Sequence, residues 1–506
     1  SINEITLAPG QQWKTTAAPI GVAATSSATV EISSVPSMNL QKRLDYLIEY
    51  PHGCIEQTTS AVFPQLVLNQ LTDLDDYKKA QVDKNIKAGI GKLQNFQRPD
   101  GGFSYWPGGN ESDEWGSNYA GHFLVEAQSN GFLVSDYMLQ QWKNYQRGKA
   151  NSWVPSTTNF YGGDLSQSYR LYTLALAKAP ELGAMNRLKE FKYLSAEAKW
   201  RLAAAYKLAG QDNIALDLIS GLATTFPVRT SWGYTYGSDT RDEAMVLETL
   251  TLLGKKVKAE ELMKSIAAKL SQDYWYSTQT TAYSLIAIAK FCGKNPSGAK
   301  IISSASINGK QTDINAATYL RQLPVVFKDQ NSNSVVVTNK GSNTLYVRII
   351  TKGQPLSGDS LKVNNNPAML GMSVSYLTQD GKAIEVNQLK QGSDFVAKVI
   401  IKNPSSRGRY SEMALSQIFP SGWEILNARM LGGEGAFKSS YSTYQDIRDD
   451  RVYTYFNINA SETLTYYVQL NASYLGRYFL PGTFAEAMYD NTISAGVNGK
   501  WVEVVQ

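Results

Sequence analysis

The chain of 506 residues is poor in the side chains that most hydrolase and metal mechanisms need: it has two cysteines, Cys54 and Cys292, and two histidines, His52 and His122. One disulfide at most can form, no Cys/His cluster has metal-ligand spacing, and a histidine-based triad has almost nothing to draw on. No metal and no other cofactor is expected. An excess of one charge is lacking too. Forty-nine Lys and Arg face forty-four Asp and Glu, a net charge of +5 without clustering, so neither nucleic acid nor an anionic membrane surface is an expected partner. The longest weakly charged run near the start, TTAAPIGVAATSSATV, is too short and too rich in Thr and Ser to span a bilayer, and it has no basic flank of the signal-peptide kind. A first residue of serine is what trimming or excision from a larger precursor would leave.

What is present reads as globular: 43% hydrophobic and 18% charged residues, in a length that predicts two to four domains. The texture changes near Met38 and again near Pro296. ITLAPGQQWKTTAAPIGVAATSSATVEISSVP mixes small, β-branched and polar residues with Pro and Gly, the pattern of short strands. From Asn39 to about Gly293, segments such as LQKRLDYLIEY, AEAKWRLAAAYKLAG and TAYSLIAIAKFCG place apolar residues three and four apart, predicting helices. Beyond, SVVVTNKGSNTLYVRIITKG, SVSYLTQDGKAIEV and DFVAKVIIKNP alternate in period two around Asn-Lys-Gly-Ser and Asp-Gly turns, which are hairpin signals.

The helical part also repeats loosely. An aromatic, glycine-rich turn leads into a helix at DGGFSYWPGG, NFYGGDLSQSYRLYTLALA and SWGYTYGSDTRDEAMVLETL, and in reduced form at DYWYSTQTTAYSLIAIA. Helix pairs of this size must stack on neighbours to bury their apolar faces, which about a dozen helices can do as a closed α/α toroid or an open solenoid. The uneven spacing of the turns favours the ring.

The stretch YPHGCIEQTTS carries the chemistry. Pro51 and Gly53 end one helix and EQTTSAVFPQLVL restarts another, so Cys54 stands at a helix N-terminus, where partial positive charge favours thiolate. Residues three apart share a helix face, which brings the Gln57 carboxamide within reach of the Cys54 sulfur; attack with loss of ammonia would join them as an internal thioester. An inert buried thiol is the other reading of Cys54, and for Cys292, on the apolar face of SLIAIAKFCG, it is the expected one. His52 is expected to be a partly exposed turn residue and His122 a satisfied core residue. Asp73, Asp75 and Asp76 in LTDLDDYKK have the DxDD spacing of triterpene cyclases, but Lys78 and Lys79 follow directly. A solvated turn with helix-capping aspartates is expected there.

GCIEQ resembles the GCxEQ thioester signature of the α2-macroglobulin and complement family, and YPHGCIEQTTS is most similar to its bacterial branch. DGGFSYWPGG with NYAGHFLVEAQSNGF, then IFPSGWEILNARM with RDDRVYTYF, then PGTFAEAMYD resemble further landmarks, in order, of the C-terminal part of such proteins. The resemblance implies a toroid thioester domain, residues 38–297, inserted in a discontinuous CUB-like β domain, 1–37 and 298–358, with a macroglobulin-like β-sandwich over 359–506. It assigns Cys54 and Gln57 as the thioester pair, with Gly53 and Glu56 in the signature, and Tyr50, Met488 and Tyr489 as shields against water; ordinary packing is the alternative for Tyr50 and Met488. Complement-type members carry a histidine downstream of the DG turn that redirects acylation to hydroxyls. PGGNESDEW has none here, which implies attack by amines.

The function so implied is a broad-spectrum protease trap. A protease cuts a bait segment, the molecule rearranges, and a protease lysine takes the glutamyl group in one covalent event, so the chain is an inhibitor and not an enzyme. Proteases are then the partners, the location is periplasm or cell envelope, and any membrane contact runs through a lipid anchor outside this chain. No bait segment is recognisable, so this chain alone is expected to lack the trigger. The alternative is a structural or adhesive binding module whose thioester does not form.

Overall fold

The computed structural model describes the chain except residues 50–51, 156–162, 229–234, 273, 295–299, 328–331, 355–367, 405, 407 and 427–436. It divides into two compact units, Ser1–Pro355 and Leu356–Gln506. The predicted change from helix to strand near Pro296 and the domain boundary at 358 fall outside the described residues.

In the first unit, strands from both ends of the sequence pair. β1 (Ile2–Leu7), β2 (Gln12–Ala17) and β3 (Ser27–Ser33) precede the helices; β4 (Ile301–Ile307), β5 (Lys310–Ala316), β6 (Leu320–Val325), β7 (Asn333–Asn339) and β8 (Leu345–Lys352) follow them. They form two antiparallel four-stranded sheets, ordered β1-β8-β3-β6 and β2-β7-β4-β5. Ile32 and Val347 of one sheet and Ala305, Val335 and Val337 of the other share a dry core, so the sheets stack as a sandwich. Alternation along β7, with Val335 and Val337 buried, is the period-two signal at work.

The Asn-Lys-Gly-Ser turn is not a hairpin: β7 and β8 lie in opposite sheets. The buried Asn339 side chain explains the corner. Its amide donates to the carbonyls of Leu7 (3.0 Å) and Asn343 (2.8 Å) and its oxygen accepts from Gly341 N–H (3.0 Å), satisfying backbone groups that the change of sheet leaves unpaired.

Twelve α-helices are described between the halves of this sandwich: α1 (Leu40–Glu49), α2 (Ile55–Val62), α3 (Asp76–Leu93), α4 (Glu114–Ser129), α5 (Asp136–Ser152), α6 (Gly163–Leu176), α7 (Leu182–Lys189), α8 (Ala196–Leu208), α9 (Asp212–Leu218), α10 (Asp239–Leu252), α11 (Lys256–Ser271) and α12 (Thr278–Lys294). Packing runs α2 to α4, α6, α8, α10, α12 and back to α2, so the even-numbered helices close an inner ring and the odd-numbered ones pack outside it. The solenoid alternative falls to that closure. Burial follows position: α12 is buried from Thr278 through Ala289, whereas outer α3 buries only Ile86, Gly89, Ile90 and Leu93. Each fully buried Leu or Ile on an inner helix contributes about 1.5–3 kcal/mol relative to exposure. The aromatic turns before α4, α6, α10 and α12 therefore lead into inner helices, whose parallel run gathers their N-termini with that of α2 at one end of the ring.

Among the described residues, hydrogen bonds and ion pairs tie the ring to the sandwich, including Asp45 to Lys352 and Asp73 to Arg321. Leu320 N–H donates to the Leu71 carbonyl (3.1 Å), and Arg348 donates to Asn39 Oδ1 and to the Ser271 carbonyl, which Asn39 also engages (2.9 Å).

The second unit is all β. β9 (Gly371–Thr378), β10 (Ala383–Ile384), β12 (Asp394–Lys402), β14 (Trp423–Leu426) and β17 (Thr463–Ala472) form a sheet ordered β10-β9-β12-β17-β14, with β11 (Gln388–Lys390) in a small sheet, β11-β21-β18, with β18 (Gly476–Leu480) and β21 (Lys500–Val505). The third sheet, β15-β16-β13-β19-β20, comprises β13 (Tyr410–Ile418), β15 (Tyr444–Ile447), β16 (Arg451–Ile458), β19 (Thr483–Ala487) and β20 (Asp490–Val497). The Asp-Gly signal is a hairpin as expected: Thr378 pairs with Lys382 and Gly381 takes φ +86°. Val399, Ile401, Leu415 and Phe456 pack between the two five-stranded sheets.

Candidate functional site

Cys54 is the N-cap of α2, extended at φ −65° and ψ 171°, and with Gln57 it closes a capping box. The Gln57 N–H donates to Cys54 Sγ (3.5 Å), and Cys54 N–H donates to Gln57 Oε1 (3.3 Å). A serine or aspartate would ordinarily fill this place, so sulfur there is the anomaly. The reciprocal bond folds the glutamine side chain back toward the backbone of the cysteine. Cys54 is 0% and Gln57 3% exposed, so water is held off a pair that sits on the positive end of a helix.

Glu56, also fully buried, faces the ring. Its carboxylate accepts from Ser60 Oγ (2.6 Å) and from Thr278 Oγ1 at the start of α12 (2.8 Å), and Ser60 meets the Tyr119 hydroxyl (3.1 Å). It ties α2 to α12 where the inner ring closes. Gly53 sits against Lys92 of α3: a Cβ added to it would stand 3.0 Å from Lys92 Nζ.

Four further residues hold the start of α2, and sequence reasoning missed them. Ile55 N–H donates to the Tyr105 carbonyl (2.9 Å), the Tyr105 ring lies against Tyr236 (centroids 5.3 Å apart), and the Tyr236 hydroxyl donates to Asp113 Oδ2 (3.0 Å). Asp113 caps α4 through Gly116 N–H (2.5 Å), and Gly116 backs onto Ile55, where an added Cβ would lie 2.5 Å from a methyl carbon. The contacts close on themselves around the first residue of α2. Burial raises the Asp113 carboxyl to about 6 against the opposing bonds from Gly116 and Tyr236, with Glu114 adding to the rise. The Asp before EWG was a legible cap signal; the reach of Tyr236 from 123 positions away was not.

Of the other candidates, Tyr50 lies outside the described residues. Met488 and Tyr489 are both buried and form the turn between β19 and β20 of the second unit, where Met488 N–H donates to the carbonyl of Glu412 (3.0 Å) at a bulge in β13. His52 is a correction: expected to be partly exposed, it is buried at 4% exposure, two residues ahead of the fully buried Cys54 that opens α2. Cys292 is buried, and desolvation pushes its thiol well up, away from reactivity. Asp75 caps α3 through Lys78 N–H (2.8 Å), Asp76 is paired loosely with Lys79 at the surface and Asp73 with Arg321, as expected of a solvated turn.

His122 is a satisfied core residue, and its setting is a buried ionic centre inside the ring. Nδ1 meets the Tyr169 hydroxyl (2.9 Å) and Nε2 meets Glu126 (2.8 Å). Glu248 accepts from Arg201 (2.8 Å), Tyr283 (2.6 Å) and Lys290 (2.5 Å), and Lys290 also binds Glu126. Arg201 lies over the Tyr172 ring at 4.3 Å. Donor atoms of His122, Glu126 and Glu248 lie within 4.8 Å of one another, as metal ligands could, but the Lys290 ammonium is bound to both carboxylates and supplies the cation. The signal for this centre was a charged residue interrupting each apolar helix: Arg201, Glu248 and Lys290.

Comparison with known proteins bears on the fold that carries this pair. Residues 26–154 match the family model described as the A-macroglobulin TED domain, and residues 370–491 the bacterial Alpha-2-macroglobulin MG10 domain. The chain is 26% identical to Alpha-2-macroglobulin of Escherichia coli (strain K12) across 96% of its own length and 30% of that protein, and 24% identical to that of Rickettsia conorii across 90% of its length and 24% of that protein. It thus spans less than a third of these relatives. Among solved structures, native E. coli alpha-2-macroglobulin from domain MG7 to the C-terminus aligns with a TM-score of 0.78 at 23% identity, covering the whole chain and 82% of that one. Salmonella alpha-2-macroglobulin reacted with methylamine aligns at 0.81 and 21%, covering the whole chain and 33% of that one. These likenesses carry the fold: a toroid thioester domain inserted in a β-sandwich, followed by a macroglobulin-like β unit.

Proposed function

We propose, from the premise that this chain belongs to the bacterial α2-macroglobulin-like family, that it is the thioester-bearing part of a protease trap. The observation that carries the reading is the buried, reciprocal pairing of Cys54 with Gln57 at the start of α2. The Cys54 sulfur attacks the Gln57 amide carbon and ammonia leaves, giving a thioester. When an amine reaches it, the new amide forms and Cys54 departs as a thiolate favoured by the helix N-terminus. One acyl group per chain makes this a single event and the protein an inhibitor.

Lysines of attacking proteases are the proposed acceptors. Neither histidine of the chain lies in PGGNESDEW, and His122 is engaged by Tyr169 and Glu126, which leaves His52 the nearest imidazole in sequence. Tyr50, Met488 and Tyr489 are the proposed water shield, and the cell envelope the proposed location. The intact mass of the freshly folded chain tests the reading. It should fall short of the sequence mass by one ammonia and rise by one methylamine on treatment, as Cys54 becomes titratable. An undiminished mass with a reactive Cys54 from the outset would refute it and leave a binding module.

A further inference from the structure

We infer that Lys92 is a built-in acceptor for the Gln57 acyl group, so that an intramolecular Gln57–Lys92 isopeptide is one end state of this chain; the inference rests on the thioester reading above. α3 runs antiparallel to α2, and Gly89 sets how closely they approach: a Cβ added there would meet both Val62 methyls at 2.8 Å. Lys92 follows three residues later on the same side of α3, and its Nζ stands 3.0 Å from the place a Gly53 Cβ would take. Standard peptide dimensions then put this nitrogen within about 6 Å of the Cys54 backbone nitrogen. Gln57 Oε1 is 3.3 Å from that same backbone nitrogen. Because residue 53 is glycine, no side chain of its own stands between amine and acyl carbon. Lys92 is exposed in the last turn of α3, so its flexible stem is able to make the remaining swing.

The step balances within the chain. The neutral Lys92 amine adds to the thioester carbonyl, the C–N bond forms, the C–S bond breaks, and the proton lost by nitrogen ends on the Cys54 thiolate. No water is consumed, so the mass stays one ammonia below the sequence value although the thiol has appeared. Hydrolysis differs: it adds one water and leaves glutamate at position 57. The isopeptide thereby disposes of an acyl group that has been uncovered without a target, and it competes with a captured protease for the same carbon.

The test uses the full chain, freshly folded. Its mass and thiol content are measured, it is held at mildly alkaline pH without added amine until the thiol is released, and both are measured again with a peptide map. Thiol release at unchanged mass, with peptides 57 and 92 joined, is the expected result; Lys92→Arg should convert nearly all of that release into water gain, at an unchanged melting temperature. Methylamine present throughout should suppress the link in proportion to its own incorporation. Release accompanied only by water gain in the unaltered chain, or a link to a different lysine, overturns the inference while leaving the thioester reading intact. A fresh chain of undiminished mass overturns both.

Discussion

Replacing Glu248 by glutamine probes what keeps the toroid closed behind the candidate site. The carboxylate joins α8, α10 and α12 through Arg201 (2.8 Å), Tyr283 (2.6 Å) and Lys290 (2.5 Å), with its side chain 5% exposed. Removing one partner from a buried ion pair costs about 3–5 kcal/mol, since the charge left behind is desolvated. Glutamine keeps the volume and an acceptor oxygen, and Lys290 retains Glu126, so the lower end is expected, about 3 kcal/mol. For a unit of this size 1 kcal/mol moves the melting temperature by roughly 2 °C, which predicts a fall of about 6 °C at pH 7 in helix signal. Burial by itself would raise the Glu248 carboxyl, but Lys290 and Arg201 outweigh it and hold it well below the usual range. A depressed carboxyl contributes stability that is full above the unfolded value of 4.5 and is lost as pH falls below it toward the folded value. The melting temperatures of the parent and Glu248→Gln should therefore converge progressively as pH falls below 4.5. A fall under about 1 °C at pH 7, or no convergence in acid, would refute the reasoning.

Cys54→Ala should abolish methylamine incorporation without lowering the melting temperature by more than a few degrees, because one weak cap bond is lost; mass spectrometry and calorimetry decide it. Labelled methylamine should be taken up far faster than labelled glycerol, and equal uptake would return attention to His52. Asp113→Asn keeps the α4 cap and the Tyr236 bond but removes a carboxyl raised from 3.8 to about 6. Such a group stabilises the fold below 3.8 and loses that contribution as pH rises through 6, so the variant should gain roughly 1–2 kcal/mol over the parent at pH 7.5 and close to nothing at pH 4, read by denaturant titration. Met488→Ala and Tyr50→Ala should each speed spontaneous loss of the thioester, and in combination less than additively if they guard one opening; additive rates would mean separate roles.

The pairing of Cys54 with Gln57 was legible in YPHGCIEQTTS because both of its determinants are local: a helix start, and the three-residue spacing of a capping box. The closed ring was legible only in part. Period and repeat predicted stacked helix pairs, but closure depends on α12 returning to α2, a pairing made by Thr278 and Glu56 across 222 positions. Local pattern cannot carry such a contact. The hairpin expected at Asn-Lys-Gly-Ser failed for a related reason: the turn residues are right for reversal, but Asn339 spends its side chain on Leu7, far upstream, and sends β8 to the other sheet.

The part of the site that stayed hidden shows how the two kinds of information combine. Tyr105 and Tyr236 were visible only as members of aromatic turns that lead into helices. Their role comes from the ring, which brings the turns before α4 and α10 to the end of the barrel where α2 begins. There the Tyr236 hydroxyl reaches a capping aspartate and the Tyr105 carbonyl takes the first amide of α2. The aromatic turns ahead of α4 and α10 thus do two things: they lead into the caps Asp113 and Ser238, and through Tyr105 and Tyr236 they wall in the start of α2. In this chain that start is Cys54. Its neighbours have to be rigid, because a pairing of Cys54 with Gln57 held by bonds of 3.3 and 3.5 Å is lost to a small rotation of α2.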